Sequence, residues 1–175
     1  MKKMFNKAVG ADREMPAEPF PTLLAGALAT EQTLVSTIPQ LIEEAHDQTL
    51  KESLSHHLEE TRGHVRNVEQ VFESFGAEPQ AGHNAVMDGL TQTHSELRSK
   101  TSEDRRDLVV ATAAAATEHA EIATYEALRA MADAQGNTDA VGLIDATLGQ
   151  ERHALELAEQ AAQKLSAKHA TDAHA

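Results

Sequence analysis

The chain has 175 residues, enough for one domain with a real core, and its 41 % hydrophobic residues include only 3 % aromatics, which suits packed helices rather than a β-sandwich. A net charge of -13 excludes a phosphate-gripping nucleic-acid surface and favours the attraction of cations. Cysteine is absent, which excludes disulfides, thiolate-bound zinc, iron–sulfur clusters and cysteine catalysis. No apolar run nears the ~20 residues of a membrane span, and no signal segment follows Met1-Lys2-Lys3, so the expectation is a cytoplasmic protein without membrane contact.

Residues 1–21 carry Gly10, Pro16, Pro19 and Pro21 without sustained periodicity and are expected to form an N-terminal arm. A first long helix is predicted over 22–45, with Thr22 as N-cap and Pro39 kinking it. A second, over 48–75, follows Leu50, Leu54, Leu58, Val65, Val68, Phe72 and Phe75, and stops at Gly76 with Pro79 beyond. The segment 77–103 is too long for a turn between bundle helices. Ala85, Val86, Leu90 and Leu97 predict a short helix within it, and the connection lets the next long helix run parallel to its predecessor. The third long helix is predicted over 104–135, ending at Gly136-Asn137, and the fourth over 138–166. The bundle thus spans 22–166, and residues 167–175 are expected to be a flexible tail.

Glutamates interrupt the apolar stripes of these helices. Glu31 falls in the series Leu24, Leu28, Glu31, Val35, Ile38, Ile42, and Glu118 falls in Leu108, Ala111, Ala115, Glu118, Ile122, Tyr125, with Glu121 at its edge. A carboxylate in an apolar core costs several kcal/mol unless it is protonated, paired or bound to a cation. The core positions offer too few cations to pair them all. Helix two adds Glu60 and His64, four apart and on one face, and His57, read as a donor that fixes a carboxylate. Helix four adds Glu151, whose near neighbour His153 cannot share its face. His119 turns away from Glu118. The spacing repeats weakly, with Glu31 and Glu60 separated by 29 positions and Glu121 and Glu151 by 30. The candidate metal ligands are therefore Glu31, Glu60, His64, Glu118, Glu121 and Glu151. Acids converging from several helices with a histidine among them describe a di-iron or di-manganese site, two divalent ions in an all-α, ferritin-like four-helix bundle with a short extra helix in its long crossover. No phosphate loop, dinucleotide fingerprint or serine-nucleophile elbow is present.

Ala29-Thr30-Glu31-Gln32, His57 through Val65, Glu69-Gln70-Val71-Phe72, Met87-Asp88-Gly89-Leu90 and the run Glu118 to Tyr125 resemble the YciE/YciF family of bacterial ferritin-like stress proteins. The resemblance covers roughly residues 22–160 and implies a dinuclear metal centre and a homodimer. The chain departs from that family at Gln150 and Leu155, where acids are usual. The Glu118–Glu121 pair also resembles rubrerythrin, but without cysteine any electron donor must be external. The function expected is a metal-binding protein of the oxidative or general stress response, reducing peroxide or oxidising ferrous iron. The alternative is an iron-binding or structural helical protein without turnover.

Overall fold

The computed structural model describes residues 14–172; residues 1–13 of the expected arm and 173–175 of the expected tail lie outside the described part. Helix α1 runs Phe20–Glu44, α2 Gln48–Ser74, α3 Ala85–Lys100, α4 Arg106–Ala134 and α5 Thr138–Asp172, with a single 3-10 turn, Glu103–Arg105, leading into α4. The bundle is ferritin-like, and α3 is the short extra helix of its crossover.

Several boundaries differ from those expected. Helix α1 starts two residues early because Phe20 is fully buried, its ring edge-on to Phe75 with centroids 5.2 Å apart. Thr22 is consequently inside the first turn and caps nothing; Pro19 is the N-cap, with no side-chain bond. The helix continues through Pro39, whose missing N–H leaves one carbonyl of the preceding turn without its usual donor. At the other end of the chain, α5 continues to Asp172, so residues 167–172 of the expected tail are helical. Alanine and lysine there carry almost no intrinsic penalty for helix.

The caps show how the bundle is closed. Asp47 accepts from Leu50 N at 3.0 Å to start α2, and Gly76 ends it in the left-handed region at φ 69°, with Ala77 N returning to Phe72 O at 3.1 Å. Asp107, at the start of α4, accepts from His46 N at 2.5 Å and Asp47 N at 2.9 Å, so the α1–α2 turn sits beside the beginning of α4. At the opposite end, Asn137 Nδ2 reaches Ser74 Oγ at 3.0 Å, placing the α4–α5 turn beside the end of α2. Helices α2 and α4 therefore run parallel on one diagonal, and each helix is antiparallel to the neighbours it packs on: α1 on α2 and α4, α5 on α2 and α4. This is what a long crossover between two hairpins permits. Removing the Asp107 carboxylate in Asp107→Ala, with its two charge-assisted bonds, is expected to cost about 1–3 kcal/mol, read as a lowered urea midpoint. An unchanged midpoint would show that the tie is not part of the closure.

The interior divides along the bundle axis. One apolar cluster fills the end near Phe20 and Phe75, including Leu24, Leu28, Val71, Phe72, Leu128 and Ile144. A second, built on Leu34, Ile38, Leu50, Leu54 and Val110, fills the other end. Between them lies a belt of buried polar groups.

Candidate metal centre

The long helices bring polar residues to the belt on the same stripes whose apolar residues build the two clusters. Glu31 sits between Leu28 and Leu34 on α1, and Glu151 between Leu148 and Ala154 on α5; both glutamates have 0 % exposure. On α2, His57, Thr61 and His64 share the buried stripe with Leu54 and Val68. On α4, Glu118 and Glu121 are each 4 % exposed, and Tyr125 follows one turn on.

Two groups of three form there. Glu31, His64 and Glu151 offer atoms all within 4.8 Å of one another, and so do His57, Glu118 and Glu151. Either group could hold a metal ion. His64 Nδ1 lies 2.9 Å from Glu151 Oε1 and 3.5 Å from Glu31 Oε2, while its Nε2 is 2.9 Å from Gln150 Oε1. His57 Nε2 lies 3.2 Å from Glu118 Oε1 and 4.0 Å from Glu151 Oε2, and its Nδ1 is 3.6 Å from Glu60 Oε2. The Tyr125 hydroxyl donates to Glu31 Oε1. Glu121 adjoins both groups, but neither of its oxygens has a hydrogen-bond partner.

Among the described residues, ten buried side-chain N and O atoms lack a hydrogen-bond partner, and eight of them belong to Glu31, His57, His64, Glu118, Glu121 and Glu151. Proximity without alignment explains this: Nδ1 of His64 is close to Glu151, yet neither atom is hydrogen-bonded. Buried polar groups are nearly always paired, so such a concentration marks a site arranged for something other than its own residues.

The electrostatics agree. Burial pushes the Glu31 and Glu121 carboxyls up, and the Glu151 carboxylate raises both further; burial likewise lifts Glu151 to about 7. Burial opposes charge on the two imidazoles, but the facing carboxylates outweigh it, raising His57 to about 11 through Glu118 and Glu60, and His64 to about 10 through Glu151 and Glu31. Without a metal, the belt therefore neutralises itself with protons. Two protonated imidazoles and partly protonated acids occupy the space of a cation.

Of the residues singled out in the sequence, Glu31, His64, Glu118 and Glu151 lie within the two groups, and Glu121 lies beside them. Glu60 stands at the rim, half-buried, facing His56 Nε2 at 3.3 Å and His57. The His57–Glu60 pair holds the Glu60 carboxyl below its usual range. His57, read from the sequence as a carboxylate-fixing donor, faces Glu118 and Glu151 directly. Its separation from His64 was the available signal, because seven residues return a helix to nearly the same face, drifting only about 20°. Gln150, one of the departures from the family pattern, meets the outer nitrogen of His64 and fixes which nitrogen faces the acids. His153 is turned to solvent, and His119 pairs with Glu159 on the surface at 3.4 Å.

A family model described as a domain of unknown function, DUF892, matches residues 16–171. Protein YciF of Escherichia coli strain K12 is 30 % identical over 132 residues, covering 74 % of this chain and 80 % of that protein. The crystal structure of the E. coli stress protein YciF matches with a TM-score of 0.79 at 28 % identity, over 85 % of this chain and 95 % of that one. YcfI of Rhodopseudomonas palustris, proposed as a structural protein, matches with a TM-score of 0.74 at 28 % identity, over 83 % of this chain and 98 % of that one. No helix among the described residues is long and apolar enough to cross a membrane. With the family model spanning nearly all the described residues and the YciF fold reproduced over most of its length, the chain belongs to the DUF892 family, that of YciE and YciF.

Proposed function

We propose that the chain is a dinuclear metal protein of the oxidative-stress response, its central belt holding two divalent ions, iron or manganese, and its activity directed at peroxides. The observation that carries this reading is the set of eight buried side-chain N and O atoms without a hydrogen-bond partner, gathered between the two apolar clusters. Charge supports it: two divalent cations balance four ionised buried glutamates with both imidazoles neutral. Carboxylate oxygens and imidazole nitrogens are the donors that iron and manganese accept, and no thiolate is available to favour a softer ion. Glu31 and His64 would hold one ion, His57 and Glu118 the other, with Glu151 between them and Glu121 as the remaining acid.

Redox-active ions bound there would supply the two electrons that break an O–O bond. The protein's own part is positional. Tyr125 fixes Glu31, Gln150 fixes His64, and Glu60 steadies His57 from the rim. The apolar clusters above and below close the belt toward both ends of the bundle. Electrons would return from an external donor, since the chain has no thiol. This reading takes a homodimer from the family resemblance and a cytoplasmic setting from the sequence expectation.

Anaerobic titration with Fe(II) or Mn(II) is expected to saturate at two ions per chain, followed by consumption of added peroxide. The R. palustris relative, proposed as a structural protein, favours a second reading, an iron-binding or structural helical protein without turnover. No peroxide consumed, with or without metal bound, would select that reading. No uptake of either metal would remove the dinuclear one.

A further inference from the structure

Two cavities lie beneath α3, one on each side of Met87, which is the buried side chain of that helix. The first, about 310 Å³, mixes Leu34, Ile38, Leu41 and Leu90 with Thr37, Thr91 and Ser95 and reaches His57 and Glu118. The second, about 420 Å³, is walled by Leu23, Ala27, Ala85, Val86, Met87 and Ala120 and ends on Glu121 and Tyr125. That volume falls in the range of small-molecule sites, roughly 300–1,000 Å³.

Of the polar groups in the wall of the second cavity, Thr22 and His83 are exposed to solvent, His83 lying 3.6 Å from Asp88, and the deeper ones are already engaged. Thr30 Oγ1 donates to Gly26 O at 3.0 Å and accepts from Asn84 Nδ2 at 2.8 Å. Asn84 Oδ1 takes Val86 N at 3.1 Å, and Thr124 Oγ1 donates to Ala120 O at 2.9 Å. The Tyr125 hydroxyl is given to Glu31. Glu121 remains, 4 % exposed, with both oxygens unpartnered. An occupant therefore meets apolar wall along its body and one carboxyl group at its inner end.

We propose that this cavity is a substrate subsite for small, uncharged organic molecules with an apolar body and a single oxygen-bearing head, of the organic hydroperoxide class, the head lying against Glu121. The hydroperoxide class rests on the peroxide reading above; the shape and polarity of the site do not. An apolar body gains by leaving water for the alanine and leucine wall. An anionic head finds no lysine or arginine in this lining and meets, at the inner end, a carboxyl group that offers it no cation, in a chain of net charge -13.

Cumyl alcohol, the redox-inert product alcohol of one such hydroperoxide, is the probe, with benzoate as an anion of similar size. Saturation-transfer NMR is run on the protein as purified and after chelator treatment. Cumyl alcohol is expected to bind both forms, and benzoate neither. Ala120→Phe, which fills the cavity, is expected to abolish the signal. So is Ala123→Phe, a solvent-exposed position at the rim that decides the matter if Ala120→Phe does not fold. Both variants should keep the metal content of the wild type. No cumyl alcohol signal, a signal unchanged in the folded variants, or equal binding of benzoate would overturn the subsite. Binding of cumyl alcohol to a protein that takes up no metal would keep the subsite and defeat the dinuclear reading. Metal uptake without cumyl alcohol binding would do the reverse.

Discussion

Glu151→Gln is expected to lose both metal ions, whereas Glu31→Gln should lose one. Glu151 contributes to both groups of the belt, and Glu31 only to the group it forms with His64. Glutamine keeps the volume of the side chain but gives up the charge. Losing a mere supporting partner of a metal ligand weakens binding roughly 10–100-fold. Losing the shared carboxylate should exceed that for each ion. The metal-free protein should tolerate the change well, because the wild-type Glu151 carboxyl, raised to about 7 by burial, is already part-protonated at neutral pH and glutamine resembles that state. Metal content after anaerobic loading and desalting, measured by mass spectrometry, separates the outcomes. Two ions retained by Glu151→Gln would show that the belt does not bind metal through this residue.

Acidity should stabilise the metal-free protein and shrink the stabilisation that metal adds. His57 and His64 have folded pKa values of about 11 and about 10, above the ordinary histidine value of 6.5. A group raised in this way stabilises the fold fully below its unfolded pKa, and that stabilisation is lost as pH rises through the folded value. The raised carboxyls of Glu31, Glu121 and Glu151 have the same sign, since the folded state again holds the extra proton. The metal-free melting temperature should therefore fall as pH rises from 6.5 toward the folded values of about 10 and about 11, and the stretch from about pH 6.5 to about pH 9 is enough to show it. Metal must displace these protons, so its affinity should rise with pH. Two imidazole protons released in filling the belt correspond to roughly a hundredfold in overall binding constant per pH unit. At a hundredfold excess over the dissociation constant, each ion adds about 2.7 kcal/mol, so two add about 5 kcal/mol. For a domain of this size that is roughly 10–20 °C in melting temperature. Calorimetry with and without Mn(II) across this range tests both signs. A metal-free protein that gains stability toward alkaline pH, or a metal shift that shrinks there, would contradict the arrangement of charges.

The sequence alone determined the helical class, the two hairpins and the short helix in the crossover. Those features follow from local rules: apolar spacing every three to four residues, glycine at the left-handed positions 76 and 136, and a connection too long for a turn. It also marked the buried acids, because Glu31 and Glu118 stand where leucine would be expected, and a charge on an apolar stripe is visible without knowing what it faces.

The partners of those acids came only with the tertiary structure. Glu31 and Tyr125 are 94 positions apart, and their hydrogen bond exists because α1 and α4 are neighbours in the bundle. Glu60 and Glu151 occupy matching places in the weak repeat, yet Glu151 is fully buried and Glu60 stands at the rim. Where Glu60 has His64 four residues on, Glu151 has Leu155. The rotation of each helix about its axis is set by which side chains lock into its neighbours, and along α2 that choice turned His57 and His64 inward. The cavities under α3 belong to the same class of fact. They arise where one short helix, holding on through Met87, fails to fill the groove between α1 and α4, and no local pattern records how well two surfaces fit.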